Sequence, residues 1–187
     1  MTVSKLARLK IVLKDVEPAV LRVVEVPLSI WLDQLHLLLQ AAMGWSNSHL
    51  YEFVAGNLSW GFVDPDSETS RLDAQKAQLR DHLPYSNVFT YLYDFGDGWE
   101  HTITVEGLAD PAPDVLYPRL IKVEGPCPPE DVGGPGRYAV FREAIARPSH
   151  KLHIQYKEWI GPDFDPNINA SDRLKDDVQA LAKRWSR

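Results

Sequence analysis

The residues best suited to chemistry gather around one short motif. Asp94, Asp97 and His101 lie within Tyr91-Leu-Tyr-Asp-Phe-Gly-Asp-Gly-Trp-Glu-His101, and Glu130-Asp131 follow in a stretch dense in proline and glycine. His49, His150 and His153 add further imidazoles. Such a mixture of nitrogen and oxygen donors suits a divalent transition metal. Asp94, Asp97, His101, Glu130 and Asp131 form the candidate polar site, and His49, Asp94, His101, His150 and His153 are the candidate metal ligands. An aspartate beside a histidine raises the imidazole pKa and orients the ring. Such a pair serves as a metal half-site, as a base with its orienting carboxylate, or as a structural ion pair. The sequence leaves all three open.

The other clusters carry plainer readings beside the functional ones. Glu130-Asp131 precede an expected helix, where carboxylates favour the positive end of the dipole; they are also hard oxygen ligands or a general base. Gly133-Gly134-Pro-Gly136 could present backbone N–H groups to an anion, but it lacks the Gly-Lys-Ser/Thr ending of a phosphate-binding loop. His150 and His153 share a helix face and serve either as two ligands or as two exposed side chains. His36 sits at the shoulder of a helix and reads as packing. Asp163 and Asp165 flank Phe164 and read as turn formers. Cys127, the only cysteine, lies between two prolines with no evident helix N-terminus or cation to activate it; it reads as an inert loop thiol.

The central motif needs a β-hairpin. Asp97-Gly98 between two alternating runs is a strong two-residue turn signal, so residues 89–106 are expected to pair about that turn. The register then sets Asp94 opposite His101, Leu92 opposite Ile103 and Thr90 opposite Val105. One face would carry Leu92, Asp94, Trp99, His101, Ile103 and Val105. The other would carry Phe89, Tyr91, Tyr93 and Phe95 against Glu100, Thr102 and Thr104. A turn slipped to Gly96-Asp97 would remove the Asp94–His101 pairing.

Around the hairpin, Leu9, Ile11 and Leu13 alternate as a strand, and residues 19–26 read as its partner, ended by Pro27. Ser29 is placed to cap a helix from about Ile30 to Met43, with Leu32, Leu35, Leu39, Ala42 and Met43 on one face and Gly44 as its stop. A short strand follows at 49–54, and then a polar loop at 57–70. Residues 72–83 suit either a helix or a short strand with a turn of helix. Within 107–136 only Val115–Val123 suits a strand. Helices are expected over 137–147, 149–160 and 171–185, the last capped by Ser171.

Length and composition narrow the class. A chain of 187 residues, 44% hydrophobic and 25% charged, is of ordinary globular make-up and long enough to bury a core without disulfides or a structural metal. One cysteine excludes an intrachain disulfide and a multi-cysteine metal site. No apolar run approaches the length that spans a bilayer, and the N-terminal residues lack a signal-peptide core. The expected location is the cytoplasm, with no membrane partner. The net charge of −6 disfavours nucleic acid as a partner, which would need a basic stripe. Oligomers stay open.

Several motifs in order give the chain a family resemblance. The Tyr91–His101 motif, Cys127-Pro-Pro-Glu-Asp-Val-Gly-Gly134, Leu35-His-Leu-Leu-Leu-Gln-Ala-Ala-Met-Gly-Trp45, Ser48-His-Leu-Tyr-Glu-Phe53, Phe164-Asp-Pro166 and Asn169 together resemble the plasmid pRiA4b ORF-3-like family over roughly residues 6–170. The resemblance implies a single α+β domain, with antiparallel hairpins in a roll-like sheet packed by helices and a helical C-terminal part. Relatives occur as passengers of insertion elements and are sometimes labelled resolvase-like, yet no serine nucleophile with an arginine cluster can be placed here. Val20-Leu-Arg-Val stands where the family usually carries Ile-Trp-Arg-Arg, and Arg147 replaces an Asp before Pro-Ser-His. Three functions follow as expectations: an accessory or interaction protein of plasmid or mobile-element type, a metal-dependent hydrolase using the Asp/His/Glu residues, and a nucleic-acid-binding protein.

Overall fold

The computed structural model describes residues 5–63, 70–83, 86–162 and 164–186. Asp163 and part of the expected 57–70 loop therefore lie outside the described residues.

The frame is one eight-stranded sheet. In chain order its strands are β1 (Leu6–Leu13), β2 (Val20–Pro27), β3 (Tyr51–Ala55), β4 (Leu58–Gly61), β5 (Leu72–Asp73), β6 (Val88–Tyr93), β7 (Trp99–Ala109) and β8 (Arg119–Glu124). They lie side by side as β5-β4-β3-β6-β7-β1-β2-β8. Every pairing is antiparallel except β4 with β5. The β4 strand falls within the segment expected as loop; it pairs with β3 by a tight return through Gly56, whose φ is 58°. Residues 72–83 take the second expected form, a two-residue strand followed by single 3₁₀ turns at Ala74–Lys76 and Leu79–Asp81.

The sheet is two-sided in character. Ile11, Ile103 and Phe89 stand across from one another on adjacent strands, as do Leu13, His101, Tyr91 and Phe53, and all of these are buried. Helices α1 (Leu32–Met43), α2 (Gly134–Ala146), α3 (His153–Ile160) and α4 (Ser171–Trp185) complete the fold. The buried aromatic face meets α1 through a flat His36–Tyr51 stack at 3.6 Å and α2 through the Trp99–Tyr138 contact at 6.5 Å. Leu174 and Val178 of α4 join the same core. On the opposite face Lys14 and Glu100 form an ion pair at 2.6 Å, both partly exposed. This alternation of apolar and polar positions is the usual signature of a sheet covered on one side. The α1 helix ends at Gly44, as expected, with φ at 84°.

The central hairpin forms, but its register differs from the expected one. Tyr93 pairs with Trp99, Tyr91 with His101 and Phe89 with Ile103. The connection is the five-residue loop 94–98, not a two-residue turn, so Asp94 does not face His101. Asp94 itself turns the chain. It adopts φ 56°, its Oδ1 accepts from the N–H groups of Gly96 (2.9 Å) and Asp97 (3.3 Å), and its carbonyl accepts from Gly98 N–H at 2.7 Å. The wider loop also unites Phe89, Tyr91 and Tyr93 with Trp99, His101 and Ile103 on one buried face. The expected register would have put the tyrosines on the open face; shifting a strand by an odd number of residues reverses which side chains are buried.

Candidate functional site

Three segments meet at the tip of the β6–β7 hairpin: the 94–98 loop, the chain after α1 at residues 45–49, and the 126–134 segment. Trp45 stacks on Tyr93 at 5.0 Å and donates its indole N–H to the Pro128 carbonyl at 2.9 Å. Tyr93 donates its hydroxyl to Glu130 Oε1 at 2.6 Å and accepts from Ser48 N–H at 3.0 Å. Glu130 Oε2 accepts from the backbone N–H and the hydroxyl of Ser46. Burial raises the Glu130 carboxyl, but the Ser46 and Tyr93 hydrogen bonds outweigh it, and the group ends below its ordinary value. Glu130 is therefore an ionised tie between segments.

Asp97 is a second tie. Its Oδ2 accepts from Gly133 N–H at 2.9 Å, at the start of α2. The glycine-rich anion cradle read in the sequence is thus occupied by the protein's own carboxylate, where the helix dipole favours it. The contact is close: a Cβ added to Gly134 would lie 2.4 Å from the Asp97 carbonyl oxygen.

Beside these ties lies the one group of candidate metal ligands found among the described residues. His49, Asp94 and Asp131 each direct a ligand atom to a common place, and those atoms lie within 4.8 Å of one another. His49 Nε2 is 3.0 Å from Asp131 Oδ1 and 3.6 Å from Asp94 Oδ2. Asp94 is buried, His49 half-buried and Asp131 exposed, so the group opens to solvent on the Asp131 side. The backbone aims the carboxylates: Asp94 and Asp131 both adopt left-handed φ, 56° and 61°, and Asp94 N–H donates to the Leu50 carbonyl at 2.9 Å.

His101, a candidate in both sets, lies elsewhere in chemical terms. It is fully buried, donates Nδ1–H to the carbonyls of Trp99 (3.0 Å) and Tyr91 (3.2 Å), and leaves Nε2 without a partner. Burial pushes its pKa down to about 4, where a carboxylate opposite would have pushed it up. His150 and His153 belong to the α2–α3 connection: His150 Nδ1 accepts from Leu152 N–H at 3.2 Å, and His153 Nδ1–H donates to the Ala144 carbonyl at 2.7 Å. The convergent set therefore takes His49 from the expected ligands, Asp131 from the expected polar site, and Asp94 from both. Sequence reading missed Ser46, Tyr93 and Arg22, a fully buried cation beside Cys127. The hairpin register hid Tyr93, and only folding brings Arg22 to the 126–130 segment. Burial pushes the Cys127 thiol up to about 12, so the inert reading of that residue agrees with its surroundings.

The architecture defines an α+β protein with a one-sided, mostly antiparallel sheet and helices packed on its aromatic face. A solved structure shares it: a protein of unknown function from Methanosarcina mazei Go1 superposes with a TM-score of 0.82 at 29% identity, over 89% of this chain and 96% of that one. The chain belongs to the plasmid pRiA4b ORF-3-like protein family, which it matches over residues 5–172. It is also 44% identical over 188 residues to the uncharacterized protein y4hQ of Sinorhizobium fredii, covering 99% of this chain and 96% of the relative.

Proposed function

We propose that this chain is an accessory protein of the plasmid or mobile-element type that binds a divalent transition metal through His49 Nε2, Asp94 and Asp131. The convergence of those three ligand atoms carries the reading. With metal–ligand bonds of about 2.1 Å, ligand atoms at right-angled or tetrahedral positions stand roughly 3.0–3.4 Å apart. His49 Nε2 meets Asp131 and Asp94 at 3.0 and 3.6 Å, and all three ligand atoms lie within 4.8 Å of one another, so the two carboxylates would rotate toward each other to close on an ion. One neutral imidazole and two carboxylates would leave the divalent ion without net charge, and the set suits manganese, zinc or nickel. The metal would take the place of the Nε2 proton that otherwise bridges His49 to Asp131.

A binding role is favoured over hydrolysis because the expected bases are engaged. Glu130 has both oxygens hydrogen-bonded, and His101 is sealed in the core. Nucleic acid is disfavoured by the net charge of −6. The reading places the protein in the cytoplasm, supported by its single cysteine and by the absence, among the described residues, of any helix long and apolar enough to cross a membrane.

Calorimetric titration of untagged protein with manganese, zinc and nickel chlorides tests the proposal. At least one metal should bind, and His49→Ala and Asp131→Asn should each weaken it by roughly tenfold or more. Absence of binding by all three, or equal affinity in both variants, would refute it.

A further inference from the structure

A second candidate site lies on the other side of the 126–130 segment. A cleft of about 280 Å³ opens between the end of α1, that segment and the start of α4; Arg22, Trp45, Cys127, Phe164, Arg173 and Leu174 contribute to its lining. Arg22 is unusual in this setting. Its side chain has no solvent exposure, and its Nε and Nη1 are satisfied by backbone carbonyls: Ala42 at 2.8 Å, Leu21 at 2.9 Å, Glu124 at 2.6 Å and Gly125 at 3.2 Å. These bonds close the C-terminal end of α1 and tie it to β8, a sufficient structural role for two of the three nitrogens. They do not account for Nη2, which is buried without a hydrogen-bond partner. Nor does any carboxylate among the described residues form an ion pair with Arg22. Guanidinium stays charged in proteins, so an uncompensated buried cation stands at the cleft. The neighbouring Cys127 thiol, held neutral by burial, supplies no counter-charge.

Two further features add to the same sign. Arg173 lies in the first turn of α4, where the helix dipole disfavours a cation, and its Nη2 reaches the end of α1, 2.9 Å from where a Cβ on Gly44 would stand. The N-cap of α4 is Ala170, in the left-handed region at φ 49° and with no capping side chain; Asn169 Oδ1 accepts from Ser171 N–H at 3.3 Å and leaves the other first-turn N–H groups without a side-chain cap. A buried cation, an exposed cation and a helix N-terminus only partly capped by Asn169 thus converge on one small cleft. Two carboxylates also border it, Glu130 and Asp165. Glu130 is turned to Ser46 and Tyr93, and Asp165 Oδ1 accepts from Asn167 N–H at 2.8 Å, so neither pairs with the arginines.

We propose that this cleft binds a small carboxylic acid with an apolar body, its carboxylate held by Arg173 at the mouth and drawn by the charge of Arg22 on the floor. Trp45, Phe164 and Leu174 would pack the apolar part. A carboxylate is favoured over phosphate because Glu130 and Asp165 at the border oppose a second negative charge.

The test uses benzoate, its neutral analogue benzyl alcohol, and inorganic phosphate, each titrated into the full chain by calorimetry. Benzoate should bind, with benzyl alcohol at least roughly tenfold weaker, the scale of one lost charged hydrogen bond. Arg173→Ala, at an exposed position that leaves the core intact, should weaken benzoate by a similar factor. His49→Ala should leave benzoate binding unchanged, which separates this site from the proposed metal site. Equal binding of benzoate and benzyl alcohol, no effect of Arg173→Ala, or phosphate binding more tightly than benzoate would each overturn the proposal.

Discussion

Mild acid should unfold this protein through its buried imidazoles. His101 has no exposure, and its Nε2 has no partner to receive a second proton. His36 is buried between Tyr91 and Asn47, with Nδ1 accepting from the Tyr91 hydroxyl at 2.7 Å and Nε2–H donating to Asn47 Oδ1 at 2.6 Å. Burial lowers both to about 4, partly opposed at His36 by Asn47. In the unfolded chain an imidazole titrates near 6.5. Between pH 6.5 and 4 the unfolded chain therefore binds more protons, and stability is lost as pH falls through that window. Each imidazole contributes roughly 3 kcal/mol to that loss by pH 4, so the pair removes a large share of the 5–15 kcal/mol typical of a domain. Urea denaturation at steps from pH 7 to pH 4.5 measures the effect. His101→Phe should cost about 1 kcal/mol at pH 7, for its two carbonyl hydrogen bonds, and should remove about half of the acid-dependent loss. The sign also tests the hairpin register. A carboxylate opposite His101 would raise its pKa, and the associated stability would be kept in acid and lost as pH rises. The same pH slope in His101→Phe and the natural chain, or a His101 imidazole titrating above pH 6.5 by NMR, would refute the reasoning.

Two further substitutions probe the ties around the hairpin tip. Gly134→Ala places a Cβ 2.4 Å from the Asp97 carbonyl oxygen at a φ of 82°; it should cost roughly 2 kcal/mol or more and lower the melting temperature by about 5 °C. A melting temperature equal to that of the natural chain would show that the two segments are not packed this closely. Glu130→Gln keeps the shape but replaces one acceptor oxygen with a donor, so it should cost roughly 1–3 kcal/mol in chemical denaturation at pH 7. Because the Glu130 pKa is depressed, that stability is present above the ordinary carboxylate range and is lost as pH falls below it. The Glu130→Gln difference should therefore shrink only below about pH 4.3, at the acid end of the histidine window.

Much of the fold was legible in the sequence because it rests on local pattern. The alternation of Leu9, Ile11 and Leu13 marks β1, the apolar stripe from Leu32 to Met43 with Gly44 behind it marks α1, and the final helix ends at Trp185 as expected. The hairpin at 89–106 was legible as well, together with the list of residues near its tip. Tertiary structure decided the rest. Asp97-Gly98 is a local signal for a two-residue turn, but the chain takes a five-residue loop, since only that register turns Tyr91, Tyr93, Trp99 and His101 toward one core. That choice separated Asp94 from His101 and released Asp94 to meet His49 and Asp131. It also made His101 a buried structural imidazole and Glu130 a tie to Ser46 and Tyr93. Spacing along a chain reports which side chains share a face of one element; it carries no information about which distant loops come together when those faces are buried. The meeting of residues 45–49, 94–98 and 126–134, and the approach of Arg22 and Arg173 to one cleft, arise only when the sheet and helices close over the aromatic core.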